Sequence, residues 1–159
     1  MQNQKISYTI LPRTLPIKKL GRQYMNMSGD VKLASLPRFM GYLAESTNPE
    51  QDIFVEIEFK ELANNKIVIN GHINHSVTLE CQRCLNDMPF EINTKIVVVL
   101  IDILSRIDKN LSDYEVIEFN PESDQDNMLD IYSLIEDELI LSLPSAAKHE
   151  NEADCNLKN

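Results

Sequence analysis

Two long runs of alternating apolar residues, separated by one short turn, commit the centre of this chain to a β-hairpin. In the first run Ile67, Ile69, Ile73, Val77 and Leu79 keep one register, and Cys81 continues it. In the second, Phe90, Ile92, Ile96, Val98 and Leu100 alternate again. Strand side chains point alternately to opposite faces, so each run lays one apolar face on a core. The second run is also apolar on its other face, through Val97, Val99, Ile101 and Ile103. A strand of that kind is central or covered. The turn between the runs is Cys81-Gln82-Arg83-Cys84, which puts two thiols on one tight loop.

The flanks extend this pattern. Ile53, Val55, Ile57 and Phe59 alternate with Glu56, Glu58 and Lys60, which predicts a half-buried strand over 52–60. Ala63-Asn64-Asn65 reads as the turn into the next strand, since Asn tolerates positive φ. Gly71 interrupts that strand and reads as a bulge or a barrel bend. Shorter strands are expected around Ile6–Leu11, Tyr24–Ser28 and Val116–Phe119, the last inside a polar, acidic loop over 105–127. Ser35 is placed to cap a short helix near 36–45, with Pro37 in its first turn and Leu36, Phe39, Met40 and Leu43 on one face. Asp126 or Asp130 is placed to cap a longer helix over 129–142. Its buried face is Ile131, Leu134, Ile135 and Leu139, its exposed side holds Glu136-Asp137-Glu138, and Pro144 stops it. The expected fold is α+β: an antiparallel meander of at least three long strands, curved toward a partial barrel, with these two helices. A length of 159 residues suits one domain, read as 1–144 with a short polar tail at 145–159.

Charge divides the chain. Residues 1–44 carry seven Lys/Arg and one acid; residues 45–159 carry eight Lys/Arg and 24 acids. A basic end on an acidic body suits contact with phosphate on one side and a basic protein on the other. The candidate phosphate contacts are Lys18, Lys19, Arg22, Lys32 and Arg38, with Arg83 as an addition. The plainer alternative is that these charges only solvate loops. No apolar run reaches the roughly 20 residues of a membrane helix. The segment Met1-Gln2-Asn3-Gln4-Lys5 leads into polar residues and prolines, unlike a signal peptide. Three cysteines, an odd number, argue against a disulfide framework. A cytoplasmic protein with reduced or metal-bound thiols is expected.

Three readings of the cysteines stay open. Cys81, Cys84, His149 and Cys155 form a complete Cys₃His set for structural zinc, provided the tail folds back beside the hairpin tip. Glycine is missing after Cys84, where Leu85 stands. Alternatively, Cys81 and Cys84 are a redox-sensing or thiol-exchange pair, with Arg83 lowering their pKa. Against this, thioredoxin-like pairs open a helix rather than join antiparallel strands. In the third reading the thiols are inert and the chain is an acidic protein–protein adaptor. Catalysis has little support. His72 and His75 fall on opposite strand faces, and the four glycines are isolated, so no phosphate loop exists. No aromatic platform for base stacking is evident.

The stretch Val77-Thr78-Leu79-Glu80-Cys81-Gln82-Arg83-Cys84-Leu85 resembles a signature of the bacterial YceD-like family. Glu136-Asp137-Glu138-Leu139-Ile140-Leu141-Ser142-Leu143-Pro144 resembles a second, an acidic-apolar helix ending in proline. His149 followed by Cys155 is a looser match, and the tail lacks the additional C-x2-C of cysteine-richer relatives. The resemblance marks Cys81, Arg83, Cys84, Glu136, Asp137, Glu138 and Pro144 as motif positions. It implies a non-catalytic role in synthesis, processing or stability of large-subunit (23S) ribosomal RNA. The implied partner is that RNA or its precursor, directly or through a basic protein.

Overall fold

Alternating apolar residues need a second layer to cover them, and this chain supplies it with helices on one face of a sheet. The computed structural model describes residues 4–20, 24–63, 66–104, 111, 113–123 and 127–156. Arg22, Asn64, Asn65, Asp126 and much of the 105–127 loop, on which several expectations fall, lie outside them. The elements are β1 (Gln4–Ile10), β2 (Thr14–Pro16), α1 (Ile17–Leu20), β3 (Met25–Lys32), α2 (Pro37–Met40), β4 (Asp52–Leu62), β5 (Lys66–Glu80), β6 (Asp87–Asp102), β7 (Glu115–Phe119), β8 (Met128–Asp130) and α3 (Ile131–Ser142). The fold is α+β, as the patterning predicts.

The main sheet runs β1-β3-β4-β5-β6-β7, and a two-stranded sheet pairs β2 with β8. Strands β3 to β6 form the antiparallel meander. It is extended at each edge by a parallel strand, β1 on β3 and β7 on β6. The sheet is therefore mixed and does not close into a barrel. Pairing of β5 with β6 is unbroken from Ile67 opposite Leu100 to Glu80 opposite Asp87. Gly71 makes no bulge: it pairs with Ile57 on one side and Ile96 on the other, in register with its neighbours. A Cβ there would lie 3.1 Å from the Ile96 side chain, so the glycine yields space to a core isoleucine.

The inward face of the sheet packs Ile53, Val55, Ile57, Phe59, Ile69, Ile73, Ile92, Ile96 and Val98 against Ile131, Leu134, Ile135 and Leu139 of α3 in one core. Asp130 caps α3, its Oδ1 accepting the Ser133 N–H at 3.0 Å. The Tyr132 hydroxyl donates to the Leu11 carbonyl at 2.8 Å, which fastens the N-terminal segment to the helix start. Among the described residues, no helix is long and apolar enough to cross a membrane.

Two local expectations change. The short helix near 36–45 is present as one turn, Pro37–Met40, and Ser35 does not cap it; its N-cap is Leu36, which offers no side-chain acceptor. The acceptor comes instead from α3. Glu136, expected on the exposed side, is 6% exposed. Its Oε1 accepts the Arg38 N–H at 2.6 Å and the Phe39 N–H at 3.0 Å, and its Oε2 accepts from Arg38 Nε at 3.0 Å. The carboxylate satisfies the first-turn donors that every helix leaves open. Asp137 receives the outer edge of the same guanidinium, with Arg38 Nη1 2.8 Å from its Oδ1. Replacing Glu136 by alanine strands two backbone donors under the core, so Glu136→Ala lowers unfolding free energy by about 2–4 kcal/mol in urea titrations. Asp137→Ala, which removes a half-exposed ion pair, changes it by less than about 1 kcal/mol.

Candidate metal centre

The β5–β6 ladder ends at Glu80 and Asp87 and leaves six residues to turn. The Cys81 N–H donates to the Asn86 carbonyl at 2.9 Å, and the Leu85 N–H donates back to the Cys81 carbonyl at 2.8 Å. This tight closure forces Leu85 to φ 60°, the left-handed region that normally calls for glycine. The knuckle geometry thus forms without the glycine, with the strain carried by a leucine that is 68% exposed.

The tail returns to this tip. The Gln82 N–H donates to the Ala147 carbonyl at 2.8 Å, and the Ala147 side chain is buried. Arg83 grips three points of the tail: Nη2 donates to the His149 carbonyl at 2.9 Å, Nε to Cys155 Sγ at 3.2 Å, and Nη1 lies 3.3 Å from Glu152 Oε1. These contacts make Arg83 a clamp on the tail.

The four expected donors converge. Cys81, Cys84, His149 and Cys155 place their ligand atoms within 4.8 Å of one another. Cys81 Sγ lies 3.9 Å from Cys155 Sγ. His149 Nδ1 lies 3.5 Å from both Cys84 Sγ and Cys155 Sγ. Zinc bonds of about 2.3 Å to sulfur and about 2.0 Å to nitrogen place neighbouring tetrahedral donors about 3.5–3.8 Å apart. The donor set fits that ion, and these three separations match its edges to within about 0.2 Å.

Electrostatics are prepared for a thiolate. Burial works against ionisation of Cys81. Backbone N–H groups of Cys84, His149 and Arg83 outweigh it, and the thiol is held down at about 5. Cys155 moves the other way: burial pushes it up, while its bond from Arg83 works against that rise. Beside the cluster lies a groove of about 1090 Å³, lined in part by Phe90, Pro144, Lys148, His149 and Asp154.

The other candidates are scattered. Lys18 and Lys19 are exposed on α1, while Lys32 pairs with Glu50 and Asp52, each at 3.4 Å. Arg38 is held by Glu136 and Asp137. Arg22 lies outside the described residues. His72 and His75 do lie on opposite faces: His72 is exposed and bonded to Asn93 Oδ1 at 2.7 Å, whereas His75 Nε2 is buried without a hydrogen-bond partner. Sequence reasoning missed Ala147 and Glu152 as tail anchors. Ala147 acts through its backbone carbonyl, which leaves no residue-type signal.

A family model described as large ribosomal RNA subunit accumulation protein YceD matches residues 69–159. That span contains the hairpin, α3 and all four donors. A Haemophilus influenzae protein named large ribosomal RNA subunit accumulation protein YceD is 32% identical over 111 residues, which cover 69% of this chain and 62% of the relative. The match therefore spans less than two thirds of the relative's length. No solved structure matches the chain. With more than half of its length matched, from near the start of β5 to the tail, the chain belongs to the YceD family.

Proposed function

We propose that this chain is a non-catalytic, cytoplasmic factor that sustains large-subunit (23S) ribosomal RNA, acting in its synthesis, processing or stability. Family membership carries this reading. The convergence of four protein donors supports its non-catalytic part. A site with four protein ligands is closed, and closed zinc sites hold structure rather than activate water. Zinc would tie the tail to the hairpin tip through Cys81, Cys84, His149 and Cys155, with Arg83 holding the same two segments beside it. Loss of the gene is expected to lower 23S relative to 16S ribosomal RNA in growing cells; an unchanged ratio sinks the reading.

The thiol-exchange alternative draws on the depressed Cys81 pKa. It meets two obstacles: Cys81 has 0% exposure, and a third sulfur and an imidazole share its site. Metal content separates the two. Purified protein should carry about one zinc per chain by elemental analysis, and Cys84→Ser or His149→Ala should remove most of it. Chelation should lower the melting temperature by more than about 5 °C. Metal-free native protein with two readily alkylated thiols would instead favour exchange chemistry.

Contact with the RNA runs through a basic protein partner in this reading. Lys32 and Arg38, both candidate phosphate contacts, already pair with carboxylates of the chain itself. Lys18→Glu, Lys19→Glu and Arg22→Glu combined should leave association with large-subunit precursor particles in place. A loss of about tenfold or more, with a flatter salt dependence, would reassign the contact to direct phosphate binding.

A further inference from the structure

Away from the cysteine cluster, the outer side of α3 presents a second surface. Core packing uses Ile131, Leu134, Ile135 and Leu139. Leu141 is not needed there and is 75% exposed. Across from it stands Tyr42, 60% exposed, in the turn after α2. Together with Ile140, Arg38, Glu115 and Asp137 they line a hollow of about 650 Å³.

The charge around this hollow is one-sided. Arg38 is its cation, and that guanidinium is bound by Glu136 and Asp137. Glu115 and Asp137 line the wall, and Glu138 stands close enough to feel both. The Glu138 carboxyl is raised above the ordinary range by burial first, then by the charges of Glu115 and Asp137. Crowded like charges beside exposed leucine and tyrosine repel phosphate and attract a cation that carries an apolar anchor.

We propose that the hollow between α2, α3 and β7 docks a lysine- or arginine-rich segment of a protein, with an apolar side chain seated between Tyr42 and Leu141 and its cations on Glu115, Asp137 and Glu138. This deepens the reading of the chain as a factor that reaches ribosomal RNA through a basic partner, and rests on it. The groove beside the cysteine cluster is acidic as well, with Asp87, Glu91, Glu150 and Asp154 against Lys148, but it borders the donor cluster and the tail, whereas the hollow stands on the helix anchored in the core.

The test places the photocrosslinking amino acid p-benzoylphenylalanine at Leu141, and as a control at Leu62, in the full chain in growing cells. Mass spectrometry then identifies the adducts. The expected result is a discrete Leu141 adduct, absent from Leu62, with a protein of strongly basic composition. That protein, once purified, should bind the wild-type chain about tenfold or more tighter than the Leu141→Asp and Glu138→Lys variants, each confirmed folded by circular dichroism. A nuclease-sensitive adduct, an adduct with a second copy of this chain, or equal labelling at both positions overturns the proposal. Measuring 23S ribosomal RNA in the same strains separates the two readings. RNA that falls on gene loss without a basic-protein adduct sinks the docking site alone. A specific adduct whose loss, like loss of the gene, leaves the RNA unchanged sinks the function and leaves the docking site standing.

Discussion

The β5–β6 ladder is the interaction on which everything else in the molecule depends. Fourteen residues of each strand pair without a slip, from Ile67–Leu100 to Glu80–Asp87. A one-residue slip would turn Ile69, Ile73, Val77 and Leu79 from core to solvent, so burial fixes the register. The same register fixes where the turn falls. Cys81 continues the inward face of β5 and arrives fully buried, and Cys84 follows across a closure too tight for a relaxed leucine at position 85. Core packing and thiol placement are thus set by the same pairing.

What was legible in the sequence was local. Alternation revealed β4, β5 and β6, and helical spacing with the Asp130 cap revealed α3, because each signal lies within a few residues. The edge strands β1 and β7 were legible near Ile6–Leu11 and Val116–Phe119, but their parallel pairing was not, because it joins segments distant in sequence and leaves no local pattern. The four donors were legible as residue types, but their convergence depends on the tail's return. That return is made by the Ala147 carbonyl and the three bonds of Arg83. Glu136 was misread for a related reason. Its acidic neighbours Asp137 and Glu138 suggest a solvated face, and only the approach of α2, almost a hundred residues away in sequence, turns it into a buried helix cap.

The division of charge between the two ends of the chain looks different once the partners are in place. Arg13 pairs with Asp130, Lys32 with Glu50 and Asp52, Arg38 with Glu136 and Asp137. These three of the seven N-terminal cations are therefore directed at acids of the same chain. Exposed pairs of this kind add little stability. Their larger effect is on the external field: they weaken the positive lobe beside the acidic excess. A chain with formal charge −10, in which Arg13, Lys32 and Arg38 already face its own carboxylates, is less suited to hold RNA by phosphate contacts than to meet a basic protein.

The two surfaces on either side of Pro144 differ in what holds them. His149 and Cys155 lie on a tail fastened to the hairpin tip by a backbone bond, the Arg83 clamp and the donor cluster, with Ala147 as its one buried apolar side chain among the described residues. Metal binding in so small a segment acts as folding energy, since few other contacts order it. The hollow on α3 is different. Leu139, Ile135 and Leu134 anchor that helix in the main core, and Glu136 bolts it to α2. With a metal on the proposed site, ordering of the tail would follow it, while the shape of the α3 hollow follows the core. In the proposed reading, a metal-dependent segment at one end would leave the docking surface intact, because Pro144 follows the end of the helix between them and, among the described residues, the linings of the groove and the hollow share no member.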